Sequence, residues 1–264
     1  MGARPAADDA PRPAGETCAA CADGVPFALA PVNVVAGHYG VGKTNLAINL
    51  AIDAARAGHD VTLVDLDVVN PYFRSTEYRG VLEEAGVAVV APVFAEAGSS
   101  LDVPSLTGAV VPAVERAYAA ANVAEGKSIV IIDAGGDDAG AMALGRFARH
   151  VAAGPYALIY VVNRFRNLTQ EPAEALEVLA EIERAAHLRA TGVVSNAHLK
   201  SDTTGEVVRR GAAFAQAVAD AAGLPLLCVT APKTLTQPES GELSSLRGAF
   251  NLYPVELRVK TPWE

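Results

Sequence analysis

Short apolar runs alternate along this chain with longer segments whose apolar positions follow a helical period. Residues 31–36 (PVNVVA), 61–64 (VTLV), 87–91 (VAVVA), 128–133 (SIVIID), 157–163 (ALIYVVN), 190–195 (ATGVVS) and 224–230 are of strand length, and most are close to continuously apolar. That is the pattern of strands covered on both faces, because a half-exposed strand would alternate polar with apolar residues. Behind the first run, Asn45, Asn49 and Asp53 recur every four residues while Leu46, Ile48, Leu50, Ala51 and Ile52 fill the other directions. This predicts a helix that is polar along one narrow stripe, packed elsewhere on a sheet, and stopped by Gly58. Further helices are predicted over 104–121, over 169–186 with Thr169 as cap and Pro172 in the first turn, and over 204–222 closed by Gly223. Strands and helices in alternation give a doubly wound, three-layer α/β fold with a mainly parallel sheet of about seven strands.

The two ends read differently. Residues 1–25 combine Pro, Ala and Gly with scattered charge, which predicts a disordered extension ahead of one domain over 26–264. That extension has no apolar core of a secretory signal, so the expected location is the cytoplasm. Residues 231–264 carry Pro-containing turns and one short helical stretch near 243–250. No apolar run approaches the roughly 20 residues of a bilayer-spanning helix. With 51% apolar residues in 264, the chain can fill the core of one large domain. Its net charge of -9 speaks against a broad DNA-binding surface.

Chemistry enters between the first strand and the first helix. Gly37, His38, Tyr39, Gly40, Val41, Gly42, Lys43 and Thr44 fit G-x-x-x-x-G-K-[ST] in its required strand, loop and helix context. Glycines there turn the backbone N–H groups inward, and the helix adds its positive end, so a triphosphate is the natural guest. Lys43 would reach the outer phosphates, and the Thr44 hydroxyl would hold Mg2+. The second strand ends in Asp65-Leu66-Asp67, which puts carboxylates where open parallel sheets place their ligands. The run 128–133 carries Asp133 to a strand tip, as in a Walker B strand, and Gly136 follows at the D-x-x-G spacing that lets a backbone N–H approach a γ-phosphate. Thr44, Asp67 and Asp133 are therefore the expected Mg2+ oxygens. Cys18 and Cys21 have C-x-x-C spacing, which suits a shared Zn2+ or Fe-S centre but supplies only half of a four-thiolate set. A second pair would come from another subunit; the alternative is two free thiols. Cys228, inside an apolar strand, is read as a core thiol.

With these landmarks the sequence resembles the ATPase class of the ParA and MinD partition and positioning proteins and the nitrogenase iron protein. The resemblance rests on GHYGVGKTN, VDLDVVNP, IIDAGGDD and GVVSN, and runs from about residue 33 to 232. It looks like the bacterial phosphate-loop proteins grouped by CobQ, CobB, MinD and ParA similarity. It implies that Asp67 orients or activates the attacking water, that Asp133 is the Walker B acid, and that Asn196 contacts adenine with Ala231 and Pro232 flanking the base. It also places Asn45, next in the motif, among the nucleotide-binding residues. The stretch Ser195-Asn196-Ala197-His198 lacks the Asp that would pair with guanine. The sequence departs from the family at His38, where most ParA and MinD proteins carry a second lysine that reaches the partner subunit's phosphates. Arg74, Arg164 and Arg166 are the cations that could take its place.

Three functions follow from the residues. The first is a Mg2+- and ATP-dependent switch, a homodimer with its nucleotide sites facing the two-fold axis, slow in hydrolysis and acting on an unidentified protein partner. The second is a phosphate-loop kinase with Asp65 and Asp67 as base toward its acceptor. The third is a metal-centre insertion protein built on Cys18 and Cys21. The last residues, with Pro254 and Pro262, cannot form a long basic amphipathic helix, so no membrane attachment is expected. Sedimentation with anionic liposomes in the presence of ATP is expected to leave the protein in the supernatant; pelleting would contradict this reading.

Overall fold

The computed structural model describes residues 24–67, 75–90, 108–123, 126–136, 138–167, 169–199, 202–237 and 241–259. Cys18, Cys21, Arg74, Pro262 and the start of the predicted helix at 104–107 lie outside the described residues. The seven predicted runs form β1 (Val32–Ala36), β2 (Asp60–Asp65), β3 (Ala88–Val90), β4 (Ser128–Asp133), β5 (Tyr156–Val162), β6 (Gly192–Ser195) and β7 (Leu226–Pro232). An eighth strand, β8 (Leu252–Val255), joins them. All pairings are parallel, in the order β3-β2-β4-β1-β5-β6-β7-β8.

The helices are α1 (Lys43–Arg56), α2 (Ser75–Glu84), α3 (Val110–Ala121), α4 (Asp138–Gly145), α5 (Ala148–Val151), α6 (Pro172–Ala186), α7 (Gly205–Ala222) and α8 (Lys233–Thr236). Alternate residues of each strand serve opposite faces. Val35 and Val161 join Leu46 and Leu50 of α1 in one core, while Val34, Ile132 and Tyr160 join Val114 of α3, Leu179 of α6 and Phe214 of α7 in another. The result is a three-layer α/β fold. From β1 the chain crosses to β2 on one side, and from β4 it crosses to β5 on the other. The carboxyl ends of the central strands thus open on a crevice, the usual ligand position in such sheets.

Three expectations are corrected. The sheet has eight strands because β8 was masked by its own Pro254, a residue tolerated on an edge strand but not in a central one. Residues 242–250 form turns rather than a helix; Gly248, at φ 82, leaves the helical region and stops any winding. Thr169 is not the cap of α6. Its hydroxyl donates to Asn163 O at 2.9 Å, and Glu171 caps the helix in a capping box with Glu174.

The polar stripe of α1 has a partner that the pattern alone did not supply. Asn49 donates to Glu256 O at 2.9 Å and accepts from Glu256 N–H at 3.0 Å. Asn45 Oδ1 accepts from Arg258 N–H at 2.8 Å, and Asp53 accepts from the Tyr253 hydroxyl at 2.7 Å. Repeating every four residues, the stripe binds the backbone of residues 256–259 through Asn45 and Asn49 and the Tyr253 hydroxyl through Asp53, and so fastens β8 and the C-terminal strap beyond it to the helix that begins at the phosphate loop. Replacing Asn49 with Ala removes both bonds to Glu256 and is expected to cost about 1–3 kcal/mol, measured by urea unfolding. Exposed Glu177 on α6, changed to Ala, should leave the unfolding midpoint unchanged.

Candidate functional site

The loop between β1 and α1 has few side chains to hold its own shape. Gly42, the N-cap of α1, sits at φ 88 with no side-chain cap. A Cβ on it would lie 2.4 Å from Asn196 Nδ2 and 2.9 Å from His198 Nε2, so both conformation and space demand glycine. That space is used. From the tip of β6, Asn196 donates to Val41 O at 2.7 Å and accepts from the Thr230 hydroxyl of β7 at 2.6 Å. The Asn196 amide therefore grips the loop. Val41 contributes only its backbone, since its side chain is wholly buried in the core beneath α1. Gly37 packs against the Val161 carbonyl.

Lys43 is buried to 7% exposure, and its ammonium donates to His38 O at 3.2 Å. Beside it, the Thr44 hydroxyl donates to Asp133 Oδ2 at 2.6 Å. The other oxygen, Asp133 Oδ1, is buried and has no hydrogen-bond partner among the described residues. Burial first, and then the charge of Asp65, push the Asp133 carboxyl up to about 7, against the pull of Lys43 and the Thr44 hydroxyl. Asp67 caps the neighbouring strand, its N–H donating to Asp65 Oδ1 at 2.9 Å. His38 titrates below its usual range because of burial first and Lys43 second, so at neutral pH it is uncharged.

The site fits Mg2+. An orphaned buried carboxylate oxygen next to a hydroxyl is a hard-oxygen donor set, and Mg2+ completes its shell with phosphate oxygens and water. Among the described residues no group of three or more His, Cys, Asp or Glu could hold a metal by protein ligands alone. The Zn2+ or Fe-S expectation at Cys18 and Cys21 falls outside them, and Cys228 is a buried thiol within β7.

Past Asp133 the chain turns back over the phosphate loop. A Cβ on Gly136 would lie 2.6 Å from Lys43 Nζ and 2.8 Å from Tyr39 Cα. Asp67 Oδ1 would lie 3.5 Å from a Cβ on neighbouring Gly135. The cleft that Tyr39, Lys43 and Asp67 border is about 360 Å³, within the roughly 300–1,000 Å³ of small-molecule sites. Gly40, Thr44 and Arg166 line it too, as do Asn196, Ala231 and Pro232, with Val255, Leu257 and Val259 of the C-terminal strap, residues 255–259. Asn45 borders the cleft too, with its side-chain oxygen committed to the strap.

Nearly all the loop, carboxylate and strand-tip residues read from the sequence thus meet in one place. Arg164 does not: its guanidinium lies 5.8 Å from the Phe165 ring centroid and 6.0 Å from that of Phe214. His198, Thr203 and the three strap residues line the cleft without any signal in sequence, because the turn after β6 and the pairing of β8 bring them there.

A backbone cradle closed by a buried lysine, with a hydroxyl and carboxylate pair beside it, defines a phosphate-loop nucleotide-binding protein. The chain belongs to the family of the CobQ/CobB/MinD/ParA nucleotide binding domain, which matches residues 32–206. Among solved structures it is similar to the signal recognition particle 54 kDa protein of Aeropyrum pernix in complex with GDP, with 18% identity, 82% of this chain and 45% of that one covered, and a TM-score of 0.50. It is also similar to FtsY of Mycoplasma mycoides, with 16% identity, 76% and 59% covered, and a TM-score of 0.47. Chloroplast FtsY of Physcomitrella patens gives 19% identity, 75% and 57% covered, and a TM-score of 0.49. The chain thus spans only about half the length of these structures, and at such identities the likeness is one of fold. No curated protein matches the sequence.

The buried Asp133 makes stability depend on pH. Its folded value near 7 lies above the ordinary 3.8, so the folded state holds the extra proton, and stability is lost as pH rises from about 4 through about 7. Asp133→Asn removes this loss. In Mg2+- and nucleotide-free protein, the stability of Asp133→Asn relative to the parent is expected to increase between pH 5 and pH 8 in denaturant titrations; a constant difference would count against the assignment.

Proposed function

We propose that the protein is a Mg2+-dependent ATP-binding switch that hydrolyses ATP slowly and acts, as a homodimer, on a partner protein. The observation that carries this reading is the seat of Gly136, packed against the Lys43 ammonium and the Tyr39 backbone. A γ-phosphate drawn to Lys43 must displace or bond the 134–136 turn, so the presence of that phosphate becomes a change of shape. Thr44 and Asp133 would hold Mg2+, which supplies charge neutralisation on the phosphates. Asp67, which lines the cleft with Lys43 and Thr44, would orient the attacking water. Tyr39, at 57% exposure, stands at an open mouth that a second subunit could cover.

Adenine is favoured over guanine because the apolar lining of the cleft includes Pro232, Val255, Leu257 and Val259, and Ser195-Asn196-Ala197-His198 offers no carboxylate to guanine. GDP in the Aeropyrum pernix structure belongs to a protein 18% identical, and bears on the fold rather than on this base.

Calorimetry with ATP, GTP and Mg2+ tests the reading. Lys43→Ala should weaken ATP binding at least about tenfold, the order of one charge-assisted hydrogen bond. Asp67→Ala should keep ATP bound but slow hydrolysis by about 100-fold, as expected of a group acting in the transition state. Equal GTP affinity would remove the base assignment. Phosphate appearing on an acceptor instead of in solution would favour the kinase. A strict monomer by light scattering, with and without an ATP analogue, would remove the dimer.

A further inference from the structure

The turn that follows β5 is wound around one buried amide. Asn163, wholly buried, accepts from Phe165 N–H at 3.1 Å through Oδ1, and its backbone carbonyl accepts from Arg166 N–H at 3.1 Å and from the Thr169 hydroxyl at 2.9 Å. These bonds fix the backbone of Arg166, and its stem crosses the phosphate loop. A Cβ placed on Gly40 would lie 3.8 Å from Arg166 Cδ and 3.9 Å from its Nε.

Arg166 Nε is buried and has no hydrogen-bond partner, and no carboxylate pairs with the guanidinium among the described residues. Other arginines show the contrast: Arg56 pairs with Asp53 and Arg209 with Glu206, and Arg258, whose Nε is likewise buried and unbonded, still pairs with Glu256. Leaving a buried guanidinium N–H unbonded is costly, and the shape of the group suits a bidentate oxyanion. The side chain lines the same cleft as Lys43 and Thr44. Its aliphatic stem alone would account for cover over Gly40 but not for the unbonded nitrogen.

We propose that Arg166 is a phosphate ligand supplied by the same chain, contacting the outer phosphates of the bound nucleotide. This rests on the nucleotide reading above. The site then has two cations of its own, Lys43 beneath the phosphates and Arg166 beside them, before any second subunit arrives.

The test compares binding of a slowly hydrolysed ATP analogue, ADP and AMP to the parent, Arg166→Met and Arg166→Lys, with thermal unfolding of each variant without nucleotide as the control for folding. Arg166→Met keeps the stem and loses the charge. It is expected to weaken the triphosphate analogue by about tenfold or more, the order of a lost charge-assisted hydrogen bond, while ADP changes less and AMP hardly at all. Arg166→Lys should recover part of the loss and raise the salt dependence of binding, because a point charge replaces the fork. Unchanged affinity for all three nucleotides in Arg166→Met would overturn the proposal, as would an equal loss for all three. If the parent itself bound none of them, the nucleotide reading would fail first, and that outcome is separable from failure of Arg166 alone.

Discussion

A cradle made of backbone N–H groups cannot fix its own shape, and here the Asn196 amide does so from outside. One hydrogen bond to the Val41 carbonyl, with a second from the Thr230 hydroxyl holding the amide in place, ties the tips of β6 and β7 to the turn after β1. The phosphate loop is thereby registered against the sheet rather than against its own helix alone, whose N-cap has no side chain to help. A buried amide bonded on both sides is worth more than a surface contact, since losing either partner strands a polar group away from water. The tips of β6 and β7 and the phosphate loop consequently meet at a single side chain.

Charge governs the rest of the site. Asp65, Asp67 and Asp133 crowd the tips of adjacent strands, and burial already disfavours the ionised form of Asp133. Lys43 offsets part of that repulsion, and His38, neutral, adds nothing. A divalent cation would reverse the preference of Asp133 by rewarding its ionised form. Binding and ionisation would then be one coupled event, and the turn carrying Gly136 lies directly on Lys43.

Much of this was legible in sequence, for reasons that differ by element. Central parallel strands are apolar on both faces, so 31–36 and 128–133 announced themselves, and the loop carries a motif whose spacing is set by phosphate geometry. β8 was not legible. An edge strand of four residues interrupted by Pro254 has no periodicity to detect, and with it Val255, Leu257 and Val259 of the cleft were hidden. The stripe Asn45, Asn49 and Asp53 was visible as polar, but polarity does not distinguish water from a backbone partner; only the fold supplied Glu256 and Arg258. Thr169 has the chemistry of a cap, yet two residues further on Glu171 found its reciprocal partner in Glu174, and the threonine was left to brace the turn after β5.

Pro254 has one more effect, on how this molecule can meet others. β8 is the last strand on its side of the sheet, and an exposed edge of that kind ordinarily invites a further strand from a neighbouring chain. A proline in a strand of four residues deletes one donor from that short row, while the strap beyond it is tied down on α1. Growth by lateral strand addition is blunted there. Any assembly of copies at this margin would have to rely on side-chain surfaces rather than on backbone pairing.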